Sequence, residues 1–255
     1  MQDLLRFPTF VFAVSVVVLW LAARVGALFF RKVRELEESD REDFKIIQGA
    51  TLTLLALLLG FSFSMAIDRY DQRRNYEEAE ANAIGTEYLR ADLLPADNAV
   101  KVRELLKSYL DQRILFYRTR NAEELRAINK RTADLQTALW SAVRGPAATN
   151  PTTTTGLAAS GMNEVINSQG YTQAAWRNRI PVAAWGMLLA LAVCANILVG
   201  YGARRAEASA YIFALLPVIV SVAFFLIADL DSPRGGVIHV RPQNLESLAQ
   251  SLQGS

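Results

Sequence analysis

The stretch from Ser39 to Leu94 contains no proline, and Pro95 stops it. Ser39 and Glu42 form an S-x-x-E capping box, which predicts a helix start at Ser39. The first half, LLALLLGFSFSMAI and the residues before it, is apolar enough to cross a bilayer, and the second half, DRYDQRRNYEEAEANAIG onward, is strongly polar. At ~1.5 Å per residue an unbroken helix of this length is roughly 80 Å long. A hydrocarbon core takes up only about 30 Å of that. The remainder has to project into water, so one helix would tie a membrane part to a soluble part. Gly85 is the expected place for such a rod to bend.

Three further apolar blocks flank this rod. Thr9–Phe30 is long enough to span and carries one charge, Arg24, placed to snorkel toward Arg31 and Lys32 or to be buried for a purpose. Ile180–Tyr201 begins with Pro181 at its first turn, and Tyr211–Ala228 carries Pro217 inside it, which predicts a kink. Trp176, Trp185 and Tyr201 fit interfacial belts. With Phe44–Ile67 these blocks make four spans. The hydrophobic fraction of 52% is therefore concentrated in blocks rather than spread over one core.

Between the second and third spans the periodicity is that of amphipathic helices. Val102, Leu105, Leu106, Tyr109, Leu110 and Leu115 mark one, with Asp97 as its N-cap. Leu125, Ile128, Leu135, Leu139 and Val143 mark a second, ended by Gly145-Pro146. Residues 147–156 read as a loop, and a third helix follows from Leu157 to Arg179. After the fourth span come Asp229 and Asp231, a Gly-Gly turn, a short extended VIHV and a last short helix. The predicted fold is an all-α membrane protein: two spans in 1–67, a soluble helical bundle in 68–179, two spans in 180–229 and a tail in 230–255. The second span continues into the bundle as the long helix.

Four spans put both termini and the bundle on one side. Basic residues do not say which side, because Arg31, Lys32, Arg34, Arg41, Arg204 and Arg205 on one are matched by eight arginines near the other. The net charge of +2 gives no reason to expect nucleic acid as a partner. One cysteine and one histidine are too few for a zinc site of the usual kind. No phosphate-binding glycine loop, G-x-S-x-G or H-E-x-x-H is present, so nothing argues for an enzyme or calls for a cofactor. The acidic groups 35–43 and Glu77–Glu80 are mixed with arginines and read as solvated helix faces. Asp229 and Asp231 read as caps or turn formers rather than metal ligands.

Within the second span Thr53, Leu57, Phe61, Ser64 and Asp68 recur at helical spacing and share one face. Small hydroxyls, one aliphatic, one aromatic and a terminal carboxylate suit a pore wall, and they also suit packing between helices. Beyond them Arg69, Asp71, Arg73, Arg74, Glu80 and Asn82 read as a surface for contacts between subunits or for docking the bundle.

The sequence LGFSFSM, followed by RYDQRR, EANAIGTEYLR and LLP, together with the tail DLDSPRGGVIHV, resembles the bacterial bestrophin-like family. That family is in turn similar to bestrophins, which carry L-G-F in their second span. The resemblance implies a pentameric ion channel with the second helix lining the pore and a helical bundle in the cytosol. It places the multi-pass chain in the inner membrane, with lipids, inorganic ions and copies of itself as partners. It also implies an apolar neck at Phe61 and Leu57, with Thr53 at a position where bestrophins use an aliphatic residue. The calcium-binding acidic cluster of eukaryotic bestrophins has no match here, so no metal site is carried over. Asp68 at the bundle-side mouth predicts a cation preference. The competing reading is a non-conducting membrane-anchored scaffold or sensor whose bundle binds a partner. A small-molecule transporter would need repeated halves or broken helices, which this sequence lacks.

Overall fold

Helix α2 runs without interruption from Glu38 to Arg90 in the computed structural model, which describes residues 7–29, 38–202 and 210–253. It begins one residue before Ser39, passes through Gly85, and ends in a 3-10 turn, Ala91–Leu93, just before Pro95. No residue inside it lacks a backbone N–H, which is why so long a ladder of hydrogen bonds can persist. The chain divides into two compact units, Met1–Tyr70 with Arg179–His239 and Asp71–Asn178 with Val240–Ser255. The apolar half of α2 belongs to the first unit and the polar half to the second.

The first unit adds α1 (Pro8–Phe29), α6 (Val182–Gly202) and α7 (Ala210–Asp231). Together with α2 these supply four helices long and apolar enough to cross a membrane. Leu19, Leu55, Ala66, Leu188, Ala192, Val220, Phe224 and Ile227 form its core. Helices α1 and α6 cross backbone to backbone. A Cβ on Gly26 would run into the carbonyl of Ile197, and one on Gly200 into the carbonyl of Ala23. In lipid, where apolar side chains gain little by leaving their surroundings, such close approach is a main source of helix adhesion. Trp185, near the start of α6, turns inward. It is buried in this core with its ring 6.0 Å from that of Phe224. Arg24 is exposed and lies over the Trp20 ring at 5.0 Å. Pro217 lies in the interior of α7. The basic residues expected in the short loops, Arg41 apart, fall outside the described residues.

Carboxylates close the C-terminal end of α7. Asp231 accepts from the amide of Ile180 at 3.0 and 3.2 Å through its two oxygens, and Arg69 of α2 lies 3.8 Å from it. Asp229, also buried, accepts from the amides of Val237 at 2.7 Å and Ile238 at 2.8 Å. The VIHV segment therefore needs no strand partner, because its leading N–H groups end on a carboxylate.

The second unit comprises the polar half of α2 with α3 (Ala96–Arg118), α4 (Ala122–Thr149), α5 (Thr153–Arg177) and α8 (Gln243–Gln253). Two helix boundaries differ from the sequence reading. Asp97 does not cap α3: Pro95 holds the N-cap position and Asp97 lies in the first turn. Helix α4 does not stop at Gly145-Pro146 but continues to Thr149. Pro146 has no N–H to give the carbonyl four residues back, that of Ala142. The Asn98 amide of α3 donates to that carbonyl at 3.3 Å and stands in for the missing bond. What remains of the expected loop is Asn150–Thr152, after which Thr152 and Thr155 form a capping box for α5. Asn98→Ala should lower the melting stability of the purified protein by about 1–2 kcal/mol, whereas alanine at the exposed Asp97 should be close to neutral.

Candidate functional site

The apolar half of α2 has two sides. Leu55 and Ala66 are buried in the core of the first unit, with Leu52, Leu58, Leu59 and Tyr70 packed against it. Thr53, Leu57, Phe61, Ser64 and Asp68 are all exposed, Leu57 by 53% and Phe61 by 59%. At 100° per residue the two sets lie on opposite sides of the helix. Only 11% of the most apolar window of α2 is buried inside the chain. Of the nearby hydroxyls, Thr51 bonds back to the Ile47 carbonyl at 2.8 Å.

The six residues beyond Asp68 separate. Asp71, Arg74 and Asn82 are exposed, Arg69 is half-buried beside Asp231, and Arg73 and Glu80 are buried. Glu80 lies at the centre of a polar network inside the second unit. Arg113 of α3 donates to it from Nε at 2.5 Å and from Nη2 at 3.4 Å. The Tyr117 hydroxyl and the Thr172 hydroxyl of α5 each donate to its Oε2 at 3.3 Å. The Arg113 guanidinium also lies 4.3 Å from the centroid of the Phe116 ring. Burial works most strongly against the charge on Arg113, but the Glu80 charge, the hydrogen bond to it and the nearby Tyr109 and Tyr117 together outweigh burial and hold the guanidinium protonated. Burial first, and then the Glu80 charge, push the phenols of Tyr109 and Tyr117 above their ordinary range.

Glu77, one turn earlier, is also buried. It accepts from the amides of Asn244 and Leu245 at 3.0 Å each and from the Asn244 side chain at 2.6 Å. A carboxylate is thus set against the open N–H groups and the positive dipole end of α8. The acidic run 77–80 is therefore not a solvated face as a whole: Glu77 and Glu80 point inward while Glu78 is exposed. The signal was present in the spacing. Arg73, Glu77, Glu80, Ile84 and Glu87 fall on one helical stripe, as do Val102, Leu106, Tyr109, Arg113 and Phe116 on α3. Charge at these core positions hides the stripe, because charge alone suggests solvent.

A family model for the bestrophin-like domain matches residues 9–245. The chain belongs to the bestrophin-like family. As a bestrophin-like protein with four helices able to span a bilayer, it is a multi-pass membrane protein. Solved structures agree on the fold. It is similar to a bacterial bestrophin homologue from Klebsiella pneumoniae solved by Zn-SAD phasing, with 17% identity and a TM-score of 0.62 over 96% of this chain and 95% of that one. A variant of the Klebsiella pneumoniae homologue gives 15% identity and a TM-score of 0.64 over 95% of this bestrophin-like chain and 94% of its own. No curated protein matches the sequence.

Proposed function

We propose that this bestrophin-like chain is one subunit of a closed ring of identical copies, with an ion pathway along the axis lined by the apolar half of α2. The observation that carries the reading is the exposure of Thr53, Leu57, Phe61, Ser64 and Asp68 opposite the buried side of the same helix. Hydroxyls and a carboxylate facing lipid are costly. The same face turned toward a water-filled axis satisfies them. Leu57 and Phe61 from each copy then form an apolar constriction of the kind that gates by dewetting. Five copies is the number implied by the resemblance to bestrophins, as is a cytoplasmic bundle with both termini on that side of the inner membrane.

Asp68 supports a preference for cations. Its neighbour Arg69 is directed at Asp231, and the exposed Asp71, Glu78 and Asn82 repeat its helical spacing without an arginine among them. A ring of such carboxylates raises the local cation concentration. Proteoliposomes under a salt gradient test this. The wild-type protein should give a reversal potential of cation sign, and Asp68→Asn should lower the cation-over-anion permeability ratio about threefold or more. Unchanged potentials would remove Asp68 from the pathway. Absence of flux from an intact wild-type oligomer would favour the scaffold reading.

A further inference from the structure

In the second unit, the last turn of α2 carries a carboxyl that the network around Glu80 does not include. Glu87 is fully buried, with 0% exposure, and neither of its oxygens has a hydrogen-bond partner among the described residues. It faces Gly161 of α5, where an added Cβ would run into Glu87 Oε2 and the Arg90 side chain. The glycine leaves the space that the carboxyl fills. Arg90, one turn further along α2, directs Nη1 at Glu164 Oε2 of α5 at 3.5 Å. Glu164 itself is exposed and lies one turn beyond Gly161. One arginine thus sits between an inner and an outer carboxyl and is paired with the outer one. Asp92 of the adjacent 3-10 turn is held by Arg103 of α3. Arg90 and Glu164 are therefore the charges that face Glu87 from α2 and α5.

We propose that Glu87, Arg90 and Glu164 form a proton-operated switch that sets how tightly α5 is held against α2. With a proton on Glu87 the buried group is neutral, Arg90 stays with Glu164, and the two helices meet at Gly161. When the proton leaves, a buried unpaired carboxylate is costly. Arg90 then leaves Glu164 for Glu87, or α5 gives way and admits water. Burial holds the Glu87 carboxyl far above the ordinary carboxylate range, at about 8, against the pull of Arg90 and with help from Glu164. The folded chain therefore keeps this proton through a range in which the unfolded chain has lost it. The contribution of Glu87 to stability is greatest at acid pH and is lost as pH rises from the ordinary carboxylate range to about 8.

Amide hydrogen exchange on the full-length protein in lipid nanodiscs tests the switch directly. Its readout is independent of whether the protein conducts, so its failure would leave the ion-pathway reading untouched. After correction for intrinsic exchange, protection of residues 158–168 should fall about tenfold or more between pH 6 and pH 9.5. Glu87→Gln, which cannot ionise, should abolish that fall. Glu164→Gln, a change on the surface, should move the transition to lower pH by removing the like charge and freeing Arg90. Flat protection in the wild-type protein would overturn the proposal. So would a fall that persists in Glu87→Gln, or a transition that Glu164→Gln leaves in place.

Discussion

Purified protein carrying Leu57→Ala and Phe61→Ala together should pass ions into liposomes about tenfold faster than the wild type, or more, if dewetting at this constriction limits flux. Both side chains project from the side of α2 that the chain itself leaves open, so their removal creates no cavity in the core of the first unit. Folding should be nearly unaffected. In a ring, each substitution is repeated in every copy, so the constriction widens from all sides and loses its apolar lining at once. Size-exclusion chromatography must show an unchanged oligomer for the result to count. An intact oligomer with unchanged flux would assign this face to helix packing and not to a pathway.

The second large effect lies in the bundle. Arg113→Met should destabilise the protein by about 3–5 kcal/mol, because it leaves Glu80 charged, buried and without its main partner. Thermal or urea melting followed by bundle-specific fluorescence would measure this, Trp176 being packed against Phe116 and Tyr117. Adding Glu80→Leu to Arg113→Met should recover more than half of the loss, since a buried ion pair can be replaced by apolar side chains at little net cost. A double variant no better than the single one would mean that the hydroxyls of Tyr117 and Thr172 contribute more than the arginine does.

Much of the architecture was legible because it depends on local composition. Four apolar blocks of spanning length, and the i, i+3, i+4 spacing of Val102, Leu106 and Tyr109 or of Leu135, Leu139 and Val143, identify their helices without help from the rest of the chain. The failures share a cause, which is a partner supplied from far away in sequence. Gly145-Pro146 looks like a stop because a proline orphans a carbonyl, and nothing local reveals that Asn98, 44 residues earlier, will donate to it. Glu77 and Glu80 look solvated because the groups that bury them lie in α3, α5 and α8. Glu87 was invisible for a different reason, having no partner that a motif could announce. Helical spacing alone puts Thr53, Leu57, Phe61, Ser64 and Asp68 on one face, and all five are exposed, as is most of the apolar half of α2.

The contact between Glu77 and α8 also constrains the order in which this protein can be made. The carboxylate and the amides that satisfy it are 167 and 168 residues apart. Helices α6 and α7 both lie in the intervening chain. No nascent chain ending before Gln243 can finish the second unit, however long it waits. Both later hydrophobic helices must leave the ribosome before the bundle can close on its last helix. The two units are thus made as interleaved halves, and completion of the second is deferred until the last helices of the first have been delivered.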